Sequence, residues 1–360
     1  MSRCSAKLSE ERRLLLTDYE AFYAGKTILV TGGAGAIGCN LCSTLIEHGA
    51  SVIVLDDLSS GNAWALPPSA NLLFVEGSIL DEVKLKRVYF ERPDIIFHLA
   101  AFFANQNSVD HPENDLMVNG MGTLRLLEYS ALHGVERFVY ASSGCAIYGG
   151  GMPLPLREDF ITMDLSTPYQ VTKMLGELYC NFFHHHYEVP VVKPRFFNSY
   201  GPGECPGQYR NVIPNFIFWA LKGLELPITG TGEETRDFTY VGDLVDGLLR
   251  AGYFESALGL AFNLSGGREI SIGRLAEMIN SEVGNGAGIR FAKARKWDTK
   301  KRLLASIDLA RQAIGYSPRT AFEDGLKATV QWFKANWERI QTSAEFGPGA
   351  SSAVRDMAGG

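Results

Sequence analysis

The sequence predicts an α/β fold in which helices cover both faces of a parallel sheet, with a smaller lobe added toward the C-terminus. Three observations support this prediction. Short β-branched runs alternate with helical patterns from about residue 27 to 195, a glycine-rich turn follows the first run, and 46% of the 360 residues are hydrophobic. Such alternation is typical of parallel sheets with right-handed crossovers, and a chain of this size can bury one large core or two modest ones.

Six runs are the strand candidates of the sheet, and they occur in the order TILVT, SVIVLD, LLFVEG, IIFHLA, RFVYAS and VPVVKP. Beyond residue 195 the alternation gives way to Pro- and Gly-rich loops such as YGPGECPGQY, until AFNLS indicates another strand. We therefore expect one domain over residues 26–195 and a second lobe over 196–340, with residues 261–265 returning to the sheet.

The two ends of the chain differ from the rest. Residues 9–23 (SEERRLLLTDYEAFY) have the pattern of an amphipathic helix opened by a serine, and they predict a helical extension over residues 1–25. Residues 341–360 are rich in Gly, Ala and Ser and contain few large apolar side chains, so we expect a mobile tail there.

Composition excludes several classes of function. A formal net charge of −6 and a pI near 5.7 give no general attraction for nucleic acid or anionic membranes. No run reaches the ~18–20 apolar residues of a membrane helix, and the six cysteines are too scattered for a disulfide framework, which together predict a cytoplasmic protein. The pair Cys39 and Cys42 is expected in a helix core, and His184-His185-His186 cannot converge on one metal ion, so no metal site is predicted.

A glycine-rich turn follows the first strand candidate, where TILVTGGAGAIG spaces Gly32, Gly35 and Gly38 three residues apart before a helical pattern. Glycines at such a turn let the backbone approach a pyrophosphate. The helix N-terminus, here including Ala36 and Ile37, offers it free N–H groups. The turn therefore predicts a dinucleotide site.

The second strand candidate ends at Asp56, 18 residues after Gly38, where a carboxylate binds the hydroxyls of an adenosine ribose. Asp57 adds a second negative charge, and the residues that follow, Ser59 and Ser60, offer no arginine for a 2′-phosphate. The pattern favours NAD over NADP.

A tyrosine and a lysine lie one helical turn apart in S-T-P-Y-Q-V-T-K, after a threonine N-cap and a proline at the first helical position. Tyr169 and Lys173 can then reach one ligand. A tyrosine base near pH 7 needs its pKa lowered by about 3 units, which a lysine ammonium and the positive nicotinamide ring could supply together. Upstream, RFVYASSG brings Ser142 and Ser143 to the carboxyl end of a strand, where open α/β folds bind ligands.

Eight motifs give the chain a resemblance, over about residues 26–338, to the nucleotide-sugar epimerase/dehydratase family of extended short-chain dehydrogenases/reductases: TGGAGAIG, LDDLSSG, HLAA, YASSGCAIYG, PYQVTK, RFFNSYGP, RNVIP and TRDFTYVGD. The resemblance implies a Rossmann-type sheet, NAD as cofactor, and a nucleoside-diphosphate sugar, in particular a UDP-sugar, as substrate. It also implies a homodimer formed through a four-helix bundle that includes the Tyr169 helix.

The resemblance also implies roles for individual residues. Tyr169 takes a sugar hydroxyl proton, Ser143 bonds the same oxygen, hydride passes to NAD, and Lys173 bonds the nicotinamide ribose. The sugar nucleotide is held by Asn198, Asn211, Arg236 and Arg295, and the cofactor site also includes Ser78, Ile79 and Ala100.

The chain departs from the family pattern in two places. Ser78 stands where the family commonly has an adenine-binding aspartate, so it can make only a weaker contact. The loop YASSGCAIYG is one residue longer than in many relatives, so counting back from Tyr148 puts Gly144 at the catalytic hydroxyl position, whereas counting forward from the strand puts Ser143 there. A loop absorbs an insertion more easily than a strand shifts register, which favours Ser143.

The residues after Ser143 bear on the reaction. In the family, a 4,6-dehydratase has an acid pair directly after the hydroxyl residue and a uronic acid decarboxylase has a glutamate there, but this chain has Gly144-Cys145-Ala146. A 3,5-epimerising branch pairs such a cysteine with a lysine near RNVIP, where this chain has Val212, so Cys145 is expected to lack that partner.

The simplest remaining chemistry is epimerisation at carbon 4 of a UDP-hexose or UDP-hexuronic acid. Two alternatives remain open: a 4,6-dehydratase or UDP-glucuronate decarboxylase of the same family, and a non-catalytic NAD-binding regulatory or scaffold protein. The latter predicts a damaged catalytic set, whereas Ser143, Tyr169 and Lys173 are all present.

Overall fold

Fourteen short strands are present in the computed structural model, which describes residues 19–294, 300–344 and 346. They are β1 (Thr27–Thr31), β2 (Ser51–Asp56), β3 (Leu72–Glu76), β4 (Ile95–His98), β5 (Arg137–Tyr140), β6 (Ser142–Ser143), β7 (Val191–Phe196), β8 (Ser199–Tyr200), β9 (Leu226–Thr229), β10 (Thr235–Asp237), β11 (Thr239–Tyr240), β12 (Ala261–Leu264), β13 (Glu269–Ser271) and β14 (Ile289–Ala292).

The helices of eight or more residues are Ala36–Glu47, Glu82–Phe90, Thr123–His133, Pro168–Tyr187, Val212–Leu221, Val241–Tyr253, Ile272–Val283 and Phe322–Ala335. Shorter helices are Tyr19–Phe22, Asn105–Asp110, Pro112–Asp115, Gly144–Ile147, Asp308–Ile314 and Trp337–Ser343, and Leu116–Gly122 forms a π-helical segment. Single 3₁₀ turns occupy Ala63–Ala65 and Glu255–Ala257.

The central sheet has the strand order β12, β7, β5, β4, β1, β2, β3, with all neighbours parallel, and β6 also pairs with β7. Every residue of β4 and β5 is buried, as expected for inner strands covered by helices on both faces. The strand order reverses between β1 and β4. Ligands bind at the carboxyl ends of strands beside such a reversal, and this confirms the predicted fold class.

Two hydrophobic cores lie in different parts of the chain. The sheet and its helices bury two large clusters, one on each face of the sheet, so that the neighbouring β1 residues Leu29 and Val30 belong to different clusters. A separate cluster joins the helices Val212–Leu221, Ile272–Val283 and Phe322–Ala335 with β9. Strand β12 leaves this second part and pairs with β7, from Ala261 beside Lys193 to Leu264 beside Phe196.

The ends of the described chain allow two comparisons with the sequence. Of the helix predicted over residues 9–23, Tyr19–Phe22 is helical and residues 9–18 lie outside the described residues. The tail predicted from residue 341 is wrong at its start, because helix Trp337–Ser343 includes residues 341–343 and the ring of Phe346 lies 5.3 Å from that of Phe218. The apolar contacts of this segment hold it against the second core.

Cys39 and Cys42 are both buried in the helix Ala36–Glu47, where they pack as small apolar side chains. His184 bonds the Val189 carbonyl through Nδ1 at the end of its helix. Within the described ranges, no group of three or more His, Cys, Asp or Glu residues could hold a metal ion. In the same ranges, every helix is too short or too polar to cross a bilayer.

Candidate active site

One cavity of about 610 Å³ opens at the carboxyl ends of the central strands and extends to the second core. This volume is within the usual range for small-molecule sites. All the predicted site residues that the structure describes line it: Gly32, Gly35, Ala36, Ile37, Gly38, Asp56, Ser78, Ile79, Ala100, Ser143, Tyr169, Lys173, Asn198, Asn211 and Arg236. Arg295 lies outside the described residues.

The glycine turn packs so tightly that side chains cannot replace its glycines. Gly32 has φ +70°, and a Cβ there would lie 2.6 Å from the Ala100 nitrogen. A Cβ on Gly38 would overlap the carbonyl oxygen of Gly32. Gly35 is the N-cap of the helix Ala36–Glu47 and has no side chain to cover the helix N-terminus. The first N–H groups of this helix therefore face the cavity, as a pyrophosphate requires.

Asp56 ends β2 with both carboxylate oxygens bonded to the main chain. Its Oδ2 accepts from the Ala34 N–H at 2.9 Å and its Oδ1 from the Leu58 N–H at 2.9 Å. Burial raises the pKa of this carboxyl, and the two backbone bonds oppose the rise. Each oxygen keeps further lone-pair sites for the hydroxyls of a ribose, so the residues fit an adenosine at this end of the cavity.

An arginine is present at the adenosine end, contrary to the sequence expectation. The Arg210 guanidinium bonds the carbonyl oxygen of Ser60 and lies close enough to Asp56 to lower its pKa. The local sequence concealed this contact because Arg210 is 150 residues away along the chain. Exclusion of a 2′-phosphate must then depend on the charges of Asp56 and Asp57, and not on the absence of an arginine.

The remaining residues predicted for the cofactor line the middle of the cavity. The Ser78 hydroxyl accepts from the Leu80 N–H at 3.2 Å. Ile79 is buried and contacts Gly122. The Ala100 N–H donates to Thr31 Oγ1 at 3.3 Å, which fixes the end of β4 against the glycine turn.

Tyr169 and Lys173 project from one face of the helix Pro168–Tyr187. Thr167 caps this helix through a complete capping box with Gln170, and Pro168 is the first helical residue, as the sequence predicts. The Lys173 Nζ donates to the Ala141 carbonyl oxygen at 3.0 Å and lies 5.7 Å from the centre of the Tyr169 ring. Both side chains are buried, so the pair is held firmly at the cavity wall.

Ser143 and Gly144 have different neighbours in the structure. Ser143 is the last residue of β6, and its side chain lies close enough to Tyr169 to lower the pKa of the tyrosine. Gly144 faces Phe197 instead, and a Cβ at this position would overlap the phenyl ring. These positions favour Ser143, as counting forward from the strand does, and the residues after it form the short helix Gly144–Ile147.

The protein groups around the pair shift both pKa values. Burial raises the pKa of Tyr169, and the nearby Cys145 and Asp115 raise it further, whereas the Ser143 hydroxyl lowers it. Burial also lowers the pKa of Lys173 to about 8, against the attraction of the Asp115 carboxylate. The protein groups alone thus shift both pKa values toward the neutral forms, so a fall in the tyrosine pKa needs the positive nicotinamide ring.

Asp115 is a buried carboxylate that the sequence did not single out. Its Oδ2 accepts from Thr172 Oγ1 at 2.7 Å and its Oδ1 from Asn119 Nδ2 at 2.8 Å. The Asn119 Oδ1 in turn accepts from the Phe102 N–H at 2.8 Å. This network ties the Tyr169 helix to the loop after β4, which also lines the cavity.

The predicted sugar-nucleotide residues lie at the other end of the cavity. Asn198 has φ +24° and donates from Nδ2 to the Asp237 carbonyl oxygen at 3.0 Å. Asn211 is the N-cap of the helix Val212–Leu221, and its Nδ2 donates to Glu204 Oε1 at 2.9 Å. The Arg236 Nη1 donates to the carbonyl oxygens of Thr235 and Lys300, at 2.9 and 3.1 Å.

Lys300 is a cavity residue that sequence reasoning missed. Its Nζ donates to the Cys145 carbonyl oxygen at 2.6 Å, and its side chain lines the cavity. This lysine is not the one near RNVIP that the 3,5-epimerising branch pairs with its cysteine, and it contacts the carbonyl group of Cys145 and not the thiol. Burial raises the pKa of that thiol, and Lys300 partly opposes the rise. No sequence motif marks this contact, because it joins residues 155 positions apart.

Comparisons with known proteins agree with this geometry. The NAD dependent epimerase/dehydratase family matches residues 28–264. The solved structure of the epimerase Mth375 of the thermophilic methanogen Methanothermobacter thermautotrophicus is 55% identical, with a TM-score of 0.91 over 92% of this chain and 99% of that one. The UDP-glucose 4-epimerase of Thermotoga maritima, solved with UDP-glucose, is 36% identical, with a TM-score of 0.82 over 86% and 99%.

Curated relatives give the same result. A UDP-glucose 4-epimerase of Mycolicibacterium smegmatis is 36% identical over 309 residues, which is 85% of this chain and 98% of the relative. Decarboxylases and dehydratases are also among the relatives, at 30% and 32% identity. The cavity and the sheet order agree with these matches, and together they show that the chain belongs to the NAD dependent epimerase/dehydratase family.

Proposed function

We propose that the protein is an NAD-dependent nucleotide-sugar 4-epimerase acting on a UDP-hexose or UDP-hexuronic acid. The observation that carries the proposal is the meeting of Ser143, Tyr169 and Lys173 at the wall of the cavity that contains the glycine turn. The residues that follow Ser143, Gly144-Cys145-Ala146, provide no carboxylate for an elimination. Relatives named 4-epimerases, 36% identical along nearly their whole length, support the same reaction.

In this proposal the reacting hydroxyl lies at Tyr169. The phenol oxygen takes the proton of the hydroxyl on carbon 4, and the Ser143 hydroxyl bonds the same sugar oxygen. Lys173 is fixed by the Ala141 carbonyl and bonds the nicotinamide ribose. Bound NAD⁺ supplies a hydride acceptor and a positive charge that favours the tyrosinate. Because the sheet, the helix and the cavity wall bury both side chains, water is excluded from the transfer.

The residues present fit the dinucleotide. The uncovered helix N-terminus after Gly35 would hold the pyrophosphate, and Asp56 would hold the adenosine ribose. Ser78 and Ile79 would contact the adenine, where Ser78 gives a weaker contact than an aspartate. These residues would have to hold the cofactor tightly, because a 4-epimerase would need one bound NAD for both hydride transfers.

The sugar nucleotide would be held by Asn198, Asn211 and Arg236. A guanidinium offers a fork of donors to two phosphates, and Arg236 lies in the cavity wall with its Nη1 already oriented by two carbonyl oxygens. The Glu204 carboxylate orients the Asn211 amide, and burial raises the pKa of Glu204 to about 7. Arg295 stays a sequence-based candidate for a second diphosphate arginine.

Proton NMR in D₂O tests the reaction directly. The protein would be incubated with NAD⁺ and, separately, with UDP-glucose, UDP-N-acetylglucosamine, UDP-glucuronic acid and dTDP-glucose. We expect a carbon-4 epimer without deuterium at carbons 3 or 5, because the hydride returns internally. A 4-keto-6-deoxy product labelled at carbon 5, a decarboxylated sugar, or exchange at carbons 3 and 5 would refute it in favour of the other family reactions.

A scaffold role is tested separately with Tyr169→Phe, which removes the reacting hydroxyl and retains the aromatic ring. The centre of this ring lies 6.0 Å from the centre of the Phe103 ring. Loss of turnover together with loss of the biological role would support the enzyme. A biological role that persists in the inactive variant would support the scaffold.

We also propose a homodimer. Several large apolar side chains are exposed on two adjacent helical segments, the π-helical one and the Tyr169 helix: Leu116, Met117, Met121, Val171, Leu178 and Phe182. Exposed apolar rows of this kind mark interaction surfaces. Sedimentation of the native protein should give a dimer, and Leu178→Asp should give a monomer. A native protein that sediments as a monomer would contradict the proposal.

We also propose a NAD-binding domain over residues 26–195 and a mainly substrate-binding lobe over 196–340. The second core supports this lobe, while the helix Val241–Tyr253, β12 and the helix Asp308–Ile314 pack into the core of the sheet. A cytoplasmic location is supported by the cysteines, since the five within the described part of the chain are unpaired thiols.

A further inference from the structure

The chain that leaves β2 lies beside the adenosine end of the cavity. This β2–β3 segment, residues 57–66, begins directly after Asp56, and its Leu58 N–H donates to Asp56 Oδ1 at 2.9 Å. Four of its residues line the cavity, namely Asp57, Ser59, Ser60 and Gly61. A ligand bound by the Asp56 carboxylate is therefore next to this segment.

The β2–β3 segment packs directly on the glycine turn. The Asn62 N–H donates to the Ala34 carbonyl oxygen at 2.9 Å. A Cβ on Gly61 would lie 2.9 Å from the same carbonyl group, which is closer than a side chain allows. The Ala34 N–H in turn bonds Asp56 Oδ2 at 2.9 Å. The two oxygens of Asp56 are thus bonded from two sides, one by the segment and one by the glycine turn.

Trp64 connects the β2–β3 segment to the second lobe. It lies in the 3₁₀ turn Ala63–Ala65, and its ring stacks on that of Trp332, with centres 6.0 Å apart and planes at 15°. The Arg339 guanidinium lies 5.6 Å from the centre of the Trp64 ring. Trp64 and Trp332 both pack against the second core. A residue between two strands of the sheet is therefore attached to the other lobe.

The contacts of Trp64 continue to the glycine turn. Its Nε1 donates to Asn62 Oδ1 at 3.2 Å, and the Asn62 main chain is the group that bonds Ala34. A series of contacts thus runs from Trp332 through Trp64 and Asn62 to the turn. The Ser60 carbonyl oxygen adds a second connection to the second lobe, since it accepts from the Arg210 guanidinium.

Most of the β2–β3 segment is only lightly packed. Asp57, Ser59, Ser60 and Ala63 are exposed, and Leu66 packs against the core of the sheet where the segment ends. Segments with few buried apolar contacts open locally at a low cost in free energy. Aromatic stacking and a cation over a ring both oppose such opening. The Trp64 stack should therefore determine how often the segment leaves the glycine turn.

We propose that Trp64 is a positioning residue for the cofactor, which holds the β2–β3 segment against the glycine turn by stacking on Trp332 and so slows the release of bound NAD. Release becomes faster as the open form of the segment becomes more populated. The inference rests on the proposed adenosine site at Asp56. It is independent of the sugar and of the reaction.

The test measures NAD release from the NAD-loaded protein without any sugar. The protein is diluted into excess alcohol dehydrogenase and ethanol, which convert each released NAD to NADH. Trp64→Ala removes the stack and the cation contact, so release should become about 10- to 50-fold faster. Trp64→Phe retains an aromatic ring and should stay within about threefold of the native rate.

Trp337→Ala is the matched control. It removes the same kind of side chain from the second core, where the Trp337 ring lies 5.4 Å from that of Phe218. Release from this variant should change by less than about threefold, although its free energy of unfolding falls. Urea unfolding of each variant, freed of nucleotide, measures that fall separately from the release rate.

A double-mutant cycle tests the contact itself. Trp332→Leu removes the partner ring and leaves the sequence of the segment unchanged, so it should accelerate release by a similar factor. It also decides the question where Trp64→Ala does not fold. The double variant Trp64→Ala/Trp332→Leu should release NAD no faster than the faster single variant, within about twofold, because both changes remove one contact.

Three results would overturn the proposal. Release within threefold of the native rate in both Trp64→Ala and Trp332→Leu would show that the stack does not retain NAD. Equal acceleration in Trp337→Ala would show a general loosening of the second lobe. Additive effects in the double variant would show two independent packing defects. A protein that binds NAD and fails to epimerise any sugar would refute the proposed function and leave this test unchanged.

Discussion

Replacing Lys173 with methionine should make the protein more stable near neutral pH while abolishing turnover. The lysine amine is buried, with 4% of the residue exposed, and burial lowers its pKa to about 8 from the ordinary value of 10.5. Methionine has a similar length, has no charge to desolvate and adapts to irregular packing. The substitution therefore removes a group that the folded protein holds at a cost.

The magnitude follows from proton linkage. Between pH 8 and pH 10.5 the unfolded chain keeps a proton on Lys173 that the folded protein has lost, so the stability of the native protein rises with pH through this window. Below pH 8 the Lys173 amine is protonated in both the folded and the unfolded state. The folded state then bears the full cost of burying this charge, about 3 kcal/mol. The bond from Nζ to the Ala141 carbonyl, which methionine cannot replace, opposes this by about 1 kcal/mol.

Lys173→Met should thus be about 2 kcal/mol more stable than the native protein at pH 7 and about 1 kcal/mol less stable at pH 10.5. Urea unfolding at several pH values, on protein freed of bound nucleotide, measures the difference. Lys86→Met is the control, since Lys86 is exposed in an i,i+4 pair with Glu82. The stability difference between Lys86→Met and the native protein should not fall in this way between pH 7 and pH 10.5. A Lys173→Met variant that is destabilised by the same amount at every pH would refute the argument, as would turnover within roughly tenfold of the native rate.

Three further substitutions test the supports of the site. Glu177→Gln leaves a buried arginine without its bidentate carboxylate and should cost about 3–5 kcal/mol in urea unfolding, whereas Glu91→Gln in an exposed pair should cost less than about 1 kcal/mol. Gly144→Ala forces a methyl group onto the buried Phe197 ring, so it should lower the free energy of unfolding by about 1–3 kcal/mol and also lower kcat. Its control is Gly286→Ala, which places a methyl group in open space and should leave kcat unchanged. Asp56→Ala should weaken NAD binding. It should also shift the preference toward NADP by about 10-fold or more, measured as the ratio of the two Kd values, because Arg210 then faces the 2′-phosphate without an opposing carboxylate.

The sheet could be predicted because its signals are local. Each of the six strand candidates coincides with a strand, from Thr27–Thr31 to Val191–Phe196, since a parallel strand buried on both faces must be a short apolar run. The glycine turn and the Tyr169 helix were also predictable. In both cases the backbone conformation requires particular residues at fixed spacing, namely glycines at the turn and a Thr-Pro cap at the helix start.

Contacts between distant segments could not be predicted. Arg210 beside Ser60, Lys300 beside Cys145, and Asp115 beside Lys173 each depend on how loops and helices pack in three dimensions. The pKa of Tyr169 illustrates the same limit. Spacing placed the lysine on the correct helix face, but burial, which sequence spacing does not describe, determines the direction of the shift.

The Tyr169 helix reverses the usual relation between polarity and burial. Its inward face carries Tyr169, Lys173 and Glu177 at successive turns, and all three are buried. Its outward face carries Leu178 and Phe182, which are 56% and 48% exposed. A helix on the surface of a monomer has the opposite arrangement. The inward polar face is satisfied by the cavity wall and by Arg195, whose Nε and Nη2 bond Glu177 at 2.9 and 2.8 Å. The outward apolar face is exposed in the part of the chain that the structure describes, and the proposed homodimer would bury it against a second copy. The same helix would then carry both the chemistry and the dimer interface.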